Sequence, residues 1–177
     1  MPVRREHFAL LVAAGALAFG LVAVTRTHGA LALAWAVVFG ATTGLVVAID
    51  LRERRIPNLV TYNGTLIAIV VAALLGGIPA ALSALGGAFA AGAVTTGLVV
   101  LGRGGLGLGD AKFSAFAGAF LGLGGVPAYL AISLIAGAVI ALGLLATGRG
   151  RRSTFAFGPA LAVGVLSALF LKGAVLT

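Results

Sequence analysis

Two of the few acidic side chains in this chain stand where an acid–base pair could form; the acidic residues are Glu6, Asp50, Glu53 and Asp110. Asp50 closes an apolar run in VVAIDLRERRIPN, and Asp110 follows glycines in GLGLGDAKF. A carboxylate at membrane depth costs roughly 2.5 to 3.5 kcal/mol on insertion scales, so such an aspartate usually faces a water-filled cavity and has a function. Asp50 and Asp110 are therefore the first candidates for chemistry.

Two carboxylates that lie close together cannot both ionise easily, so the pair tends to hold a single proton. The ionised partner can then take a proton from water while the protonated partner donates its own proton to a carbonyl oxygen. Two apolar segments separate Asp50 from Asp110, which allows a helix bundle to bring them to the same depth. The pattern favours hydrolysis of a carbonyl compound by an activated water molecule.

Simpler interpretations exist for each of these residues. Asp50 could be a solvated residue at the end of a helix, and Asp110 could cap the N-terminus of a helix, where negative charge is favoured. Lys112 could be one of the charges that set membrane orientation, or it could bias the proton balance of the aspartate pair. The residue types alone leave these alternatives open.

The glycines before Asp110 fit a loop at a reactive site. Gly107 and Gly109 lack side chains, so they let the backbone bend and let an extended substrate lie close. A phosphate-binding loop is excluded, because GRGGLGLGDAK lacks the G-x-x-x-x-G-K-[ST] spacing and its aspartate would repel a phosphate.

The composition of the chain places most of it in lipid. Of 177 residues, 61% are hydrophobic and 9% are charged, and the mean hydropathy is +1.20. Soluble domains carry about 25% charged residues, so a water-soluble core does not fit. The predicted fold class is an all-α, polytopic bundle of membrane helices that forms a single domain over residues 1–177.

Composition also excludes several kinds of site. The chain has no cysteine, which excludes disulfides, thiolate metal sites and cysteine nucleophiles. His7 and His28 lie near the ends of the first apolar segment, and we expect no metal site from them. The net charge of +8 does not indicate nucleic-acid binding, because basic residues fall in short loops without interleaved aromatic side chains. We expect neither a cofactor nor a nucleic-acid partner.

Seven apolar runs have roughly the length of a membrane helix, about 17 to 25 residues. The runs are 8–25, 30–49, 59–75, 79–101, 111–123, 127–147 and 155–171. GGIP (76–79) and GGVP (124–127) are predicted to be tight turns, because glycine supplies unusual dihedral angles and proline begins the next helix. The fifth run is short unless its helix begins before Asp110.

The distribution of basic residues predicts the orientation of the bundle. With the N-terminus in the cytoplasm, only Arg26 and Lys172 lie outside, which is a strong positive-inside bias. The basic residues at the inner face are then Arg4, Arg5, Arg52, Arg54, Arg55, Arg103, Lys112, Arg149, Arg151 and Arg152. We therefore predict multi-pass insertion in the inner (plasma) membrane, with both aspartates at the cytoplasmic rim. The first 20 residues could be a signal peptide instead, but the topology works with this helix retained.

Four motifs resemble, in order and spacing, those of the type IV prepilin peptidases, which are GxGD-type membrane aspartic proteases. GLGDAKF resembles the G-x-G-D-x-K motif, and AIDLRERRIPNLVT resembles the motif of an aspartate followed by Leu/Ile-Pro-Asp/Asn. GAFLG (118–122) and FGPALAVG (157–164) resemble segments of the later helices. The resemblance covers about residues 30–170, and the paired aspartate motifs make it specific.

The resemblance implies that Asp50 and Asp110 are the catalytic pair of a membrane aspartic endopeptidase, with Gly107 and Gly109 shaping the active-site loop. Supporting positions would be Lys112, Pro57, Asn58, Gly158 and Pro159. The substrate would be a prepilin-like precursor, embedded in membrane lipid, whose short basic leader is cleaved after glycine at the cytoplasmic face. Water would attack the peptide carbonyl directly, without metal, cofactor or covalent intermediate.

The chain departs from the larger members of that family. They carry an N-terminal domain with two Cys-x-x-Cys pairs and N-methyltransferase activity, whereas this chain has no cysteine. We therefore expect a short, peptidase-only member. The related presenilin-like branch is disfavoured, because it pairs its GxGD with a Tyr-Asp that does not occur here.

Two other functions are compatible with part of the pattern. A small transporter or channel could use Asp50 and Asp110 as ion or proton sites, although such sites favour acidic residues near the bilayer midplane in discontinuous helices. A non-enzymatic assembly factor of a secretion system is the third possibility. Cleavage of a prepilin-like peptide by the purified chain would separate these possibilities.

Overall fold

The structure, a computed structural model, describes residues 5–26, 29–102, 106–146 and 156–172, and this part of the chain contains no β-strand. The helices are α1 (Arg5–Arg26), α2 (Ala30–Glu53), α3 (Asn58–Leu101), α4 (Leu108–Leu121), α5 (Val126–Ala146) and α6 (Gly158–Lys172), and one 3-10 turn covers Leu123–Gly125. The all-α prediction is confirmed. Apolar segments in lipid favour helices because a helix satisfies its backbone polar groups internally.

Two helix boundaries differ from the predicted spans in ways that concern the aspartates. α4 begins at Leu108, before the predicted start at residue 111, so Asp110 lies inside its first turn. α2 continues past the predicted end at residue 49, so Asp50 lies in its last turn rather than after it. α2 stops where Arg54 takes a left-handed conformation with φ 53°.

α3 is 44 residues long, but it is interrupted. A straight helix of this length would extend about 66 Å, more than twice the thickness of a bilayer core. Gly77 has φ 68° and ψ −160°, outside the helical region, and Pro79 follows it. Gly64 in the first half and Gly87 in the second half both lie against α4, so the chain folds back at Gly77. The turn predicted at GGIP is therefore present.

Several helices are suited to a lipid environment. α1, α2, α3 and α5 each contain a segment long and apolar enough to cross a membrane, and α6 is a shorter apolar helix. Large apolar side chains on the outer faces are exposed, for example Leu17 at 73% and Phe89 at 77%. In lipid such surfaces need no protein partner, which identifies the chain as an integral membrane protein.

The count of seven membrane crossings stays a prediction, and so does the cytoplasmic position of the N-terminus. Several positions on which the sequence predictions relied lie outside the described residues: Arg4, His28, Arg103, Thr147, Arg149, Arg151, Arg152 and Phe155.

Phenylalanine side chains join α1, α2 and α4. Phe39 of α2 stacks on Phe120 of α4 with ring centroids 3.7 Å apart, and Phe116 lies 4.7 Å from Phe39. Phe19 of α1 lies 5.5 Å from Phe39. Such aromatic pairs contribute about 0.5–1.5 kcal/mol each beyond the burial of their area. This core places α4 beside α2, the two helices that carry the candidate aspartates.

Candidate active site

Asp50 lies in the last turn of α2 and is 5% exposed. Its Oδ2 accepts a hydrogen bond of 2.7 Å from the backbone N–H of Gly158, the first residue of α6. The N-terminus of a helix presents unpaired N–H groups and a partial positive charge, so the start of α6 favours a carboxylate at this position.

Asp110 lies in the first turn of α4 and is 8% exposed. Its Oδ2 accepts a hydrogen bond of 2.8 Å from the N–H of Gly107, the N-cap residue, and the Asp110 N–H donates to the Gly107 carbonyl at 3.0 Å. The capping interpretation of Asp110 therefore describes its local geometry correctly. Capping does not occupy the whole carboxylate, because it uses one of the two oxygens.

Asp50 and Asp110 share one arrangement at the same end of the bundle. Within the described part of the chain, one oxygen of each carboxylate is held by a glycine N–H, and the other oxygen makes no hydrogen bond. Asp50 lies in the last turn of α2, and Asp110 lies in the first turn of α4. The segment after α2 also meets the start of α4, because a Cβ on Gly109 would lie 3.2 Å from Ile56 Cβ. The structure thus places the two predicted aspartates near the junction where the segment after α2 meets the start of α4, and their role as a catalytic pair stays a prediction.

Lys112 connects two of the predicted supporting positions. Its Nζ donates a hydrogen bond of 2.8 Å to Asn58 Oδ1 and lies 5.4 Å from the centroid of the Tyr62 ring. Pro57 is the N-cap of α3, and Asn58 is the first residue of that helix. Lys112 and Asn58 therefore tie the start of α3 to α4 beside Asp110, a structural role that differs from both alternatives considered for Lys112.

The predicted site glycines differ in how much space surrounds the position that a Cβ atom would take. A Cβ on Gly158 would lie 2.8 Å from Asp50 Oδ2, so only glycine allows this amide to approach the carboxylate so closely. A Cβ on Gly109 would be tight against Ile56, so that residue would have to move by a few tenths of an ångström to admit a side chain. A Cβ on Gly107 would lie 3.6 Å from Asp110 Oδ2, an ordinary contact, so the fold itself tolerates a methyl group there. Pro159 lies in the first turn of α6, where its missing N–H removes no helical hydrogen bond.

The sequence analysis missed a buried polar pair next to this site. Ser114 lies one helical turn after Asp110, and its Oγ is 2.8 Å from the hydroxyl of Tyr129 on α5, with both side chains 0% exposed. Ser133 is also buried beside this phenol, without a hydrogen bond of good geometry. A tyrosine buried in an apolar helix usually needs a partner for its hydroxyl, which is the signal that could have revealed the pair.

A groove lies beside the start of α4, next to Asp110. It has a volume of about 430 Å³ and lies between α4 and the two halves of α3; its lining includes Leu108, Ala111 and Lys112 but neither aspartate. In the described ranges, no group of three or more His, Asp or Glu side chains is arranged to hold a metal ion.

A helical membrane bundle with a buried aspartate pair at one end is the arrangement expected of a membrane aspartic peptidase. The chain belongs to the type IV leader peptidase family, which it matches over residues 37–142. This range contains both Asp50 and Asp110, and the resemblance inferred from the motifs is confirmed.

Two curated relatives carry more specific names. Both are described as prepilin leader peptidase/N-methyltransferase, from Burkholderia pseudomallei strains 1026b and K96243, and each is 35% identical to this chain over 179 residues. The alignments cover 96% of this chain and 56% of each relative, so the chain spans little more than half of their length. The peptidase-only assignment accordingly stays a prediction. No solved structure matches the chain.

Proposed function

We propose that this chain is a membrane aspartic endopeptidase that removes the leader from type IV prepilin-like precursors, with Asp50 and Asp110 as its catalytic residues. The observation that carries the proposal is their common geometry: each carboxylate is buried, and each is anchored through one oxygen by a glycine N–H. Family membership supports leader peptidase chemistry. The names of the relatives support a prepilin-like substrate.

In this mechanism one aspartate is ionised and the other is protonated. The ionised carboxylate removes a proton from water as the water oxygen bonds to the peptide carbonyl carbon, and the protonated carboxyl group donates its proton to the carbonyl oxygen. The tetrahedral intermediate, a gem-diol, then collapses: one of its hydroxyl groups returns a proton to the carboxylate that protonated the carbonyl oxygen, the C–N bond breaks, and the proton taken from water passes from the other carboxyl group to the leaving nitrogen. Atoms and charge balance without a covalent enzyme intermediate.

The backbone amides have a positioning role in this scheme. The N–H groups of Gly158 and Gly107 each hold Oδ2 of one aspartate, which leaves Oδ1 of each aspartate without a hydrogen bond among the described residues and available for the reaction. A carboxylate fixed in this way loses less conformational freedom when the substrate and water are aligned, which is a large part of the catalytic advantage of a preorganised site.

The proposed face of cleavage is cytoplasmic, in the inner membrane. The positive-inside distribution of basic residues supports this orientation, because the end of α2 and the starts of α4 and α6 then lie at the inner rim. A precursor with a short basic leader and a hydrophobic helix would present its cleavage site at that depth while its helix stays in lipid.

The proposal is tested by incubating the purified chain in detergent with a prepilin-like peptide and identifying products by mass spectrometry. We expect a single cut that follows a glycine between the basic leader and the hydrophobic segment. Absence of cleavage by folded protein across a broad pH series would refute the proposal. A proton-flux assay in lipid vesicles tests the transporter alternative, which is disfavoured because both aspartates lie in terminal turns of their helices.

A further inference from the structure

We propose that Phe157 and Gly137 are positioning residues for Asp50. The Phe157 ring packs against the backbone of α5 at Gly137. This packing holds the Gly158 N–H, the first amide of α6, at hydrogen-bond distance from the Asp50 carboxylate. This inference rests on the proposed function, because it gives the two residues a part in the same reaction.

The Phe157 ring lies directly on a glycine of the neighbouring helix. Phe157 is 7% exposed, and Gly137 of α5 is buried. A Cβ on Gly137 would lie 2.6 Å from Phe157 Cζ and closer still to Cε2. Any side chain at Gly137 would therefore push the ring out of its seat, because carbon atoms do not pack at such distances.

Phe157 is also the residue immediately before α6. Its carbonyl oxygen accepts hydrogen bonds from the N–H groups of Ala160 at 3.0 Å and Leu161 at 3.2 Å. The next N–H in the chain, that of Gly158, is the one that donates to Asp50. The ring and the donor amide thus belong to adjacent residues at the start of the helix, and the proposal is that displacement of the ring is transmitted to the amide.

The contact between Gly158 and Asp50 has little tolerance for such movement. The hydrogen bond is 2.7 Å long, at the short end of the usual range of about 2.7–3.2 Å. A Cβ on Gly158 would lie 3.2 Å from Asp50 Cβ, so the backbone of α6 is already close to α2. Within the described residues, no other group donates a hydrogen bond to the Asp50 carboxylate.

The rest of α6 is anchored independently of the Phe157 ring. Deeper in the bundle, Gly164 of α6 packs against Ser133 of α5, and Leu161, Val165 and Leu169 are at most 2% exposed. Displacing the ring should therefore shift the start of α6 without releasing the helix, so the variants below are expected to fold.

The test compares wild type with Gly137→Ala, Phe157→Leu and the double variant, with Gly143→Ala as the control. Gly143 lies on the same helix, and a Cβ there meets no atom within 4 Å. We expect Gly137→Ala to lower kcat on a prepilin-like peptide about 10- to 100-fold, the effect of a lost hydrogen bond to a charged group, and to leave KM within about twofold. The double variant should recover to the level of Phe157→Leu alone, because leucine leaves room for the new methyl group.

Each outcome decides the inference. Wild-type kcat in Gly137→Ala, or a double variant no better than Gly137→Ala, overturns it. If Gly137→Ala does not fold, the inference is tested by comparing Phe157→Leu with the double variant. A lower kcat in the double variant than in Phe157→Leu would contradict the idea that Gly137 acts by making room for the Phe157 ring.

A spectroscopic measurement separates this inference from the proposed function. In glycine-labelled protein, the Gly158 amide, identified by its absence in Gly158→Ala, should show the downfield proton shift of an N–H bonded to a carboxylate. Gly137→Ala should move this signal upfield and Gly143→Ala should not. An unmoved signal in Gly137→Ala overturns the inference even if no peptide is cleaved, whereas lack of cleavage by wild type counts only against the proposed function.

Discussion

The backbone N–H of Gly158 and the Asp50 carboxylate form a 2.7 Å hydrogen bond between residues 108 positions apart in the chain. The bond joins the first turn of α6 to the last turn of α2, so the orientation of Asp50 depends on where α6 begins. Asp110 receives the same kind of support from Gly107 inside its own motif. A negative charge near a helix N-terminus is stabilised by about 0.3–1 kcal/mol, and up to about 2 kcal/mol when partly buried, which offsets part of the cost of burying each carboxylate.

Replacing Gly158 by alanine should impair the reaction without unfolding the protein. The new methyl group would lie 2.8 Å from Asp50 Oδ2, so the carboxylate must turn away from the amide. We expect kcat to fall about 10- to 100-fold, as for the loss of one hydrogen bond to a charged group. Steady-state kinetics on a prepilin-like peptide measures this, with Gly97→Ala as a control because a Cβ there meets no atom within 4 Å. Unchanged kcat in folded Gly158→Ala would contradict the role given to this amide.

The two loop glycines should respond differently to alanine. Gly109→Ala places a methyl group 3.2 Å from Ile56 Cβ, so it should lower the thermal unfolding temperature in detergent. Gly107→Ala meets only ordinary contacts, so its stability should stay within about 0.5 kcal/mol of wild type. If a substrate strand lies against Gly107, the KM of Gly107→Ala should nevertheless rise. Equal destabilisation of the two variants would show that the loop packs differently.

The buried hydroxyl pair should be coupled in stability. Tyr129→Phe leaves Ser114 Oγ without its 2.8 Å partner in a dry interior, at an expected cost of about 1–3 kcal/mol. The double variant Ser114→Ala/Tyr129→Phe removes both polar groups and should be less destabilised than the sum of the single variants, with a coupling of about 0.5–3 kcal/mol. Reversible unfolding in mixed detergent measures the cycle. Strict additivity would mean that this hydrogen bond does not stabilise the fold.

The variant Lys112→Met distinguishes two roles for Lys112: holding α4 against the start of α3 through Asn58, or influencing which aspartate carries the proton. Because Lys112 Nζ bonds Asn58 Oδ1, we expect a small loss of stability, about 1 kcal/mol or less, that is not additive with Asn58→Ala. The shape and position of the pH profile of kcat should stay those of wild type. A displaced pH profile in Lys112→Met would instead support the interpretation in which this cation biases the proton on the aspartate pair.

The sequence was informative where a polar residue interrupts an apolar run. Asp50 and Asp110 are prominent for that reason, and the Gly-Gly-Ile-Pro turn identifies the reversal at Gly77 because glycine and proline have few other uses inside an apolar segment. The start of α4 was placed too late, because Gly109 suggests a loop, whereas capping by Asp110 extends the helix back to Leu108.

The contacts between helices could not be predicted from the sequence. FGP suggested that Gly158 and Pro159 support the site, but nothing in the apolar pattern of α6 says that its first amide meets Asp50. Ser114 and Tyr129 were overlooked because each lies inside an apolar run, and helix periodicity does not specify which neighbouring helix supplies a hydrogen-bond partner.

The most direct test of the central claim is the turnover of a prepilin-like peptide by Asp50→Asn, Asp110→Asn and the double variant. We predict that each single variant stays folded and loses at least about 1,000-fold in kcat/KM, and that the double variant loses no more, because the two residues act as one unit. Glu53→Gln is the control and should stay within about twofold, since Glu53 pairs with Arg55 on the exposed surface. Turnover within tenfold of wild type in either aspartate variant would contradict the account.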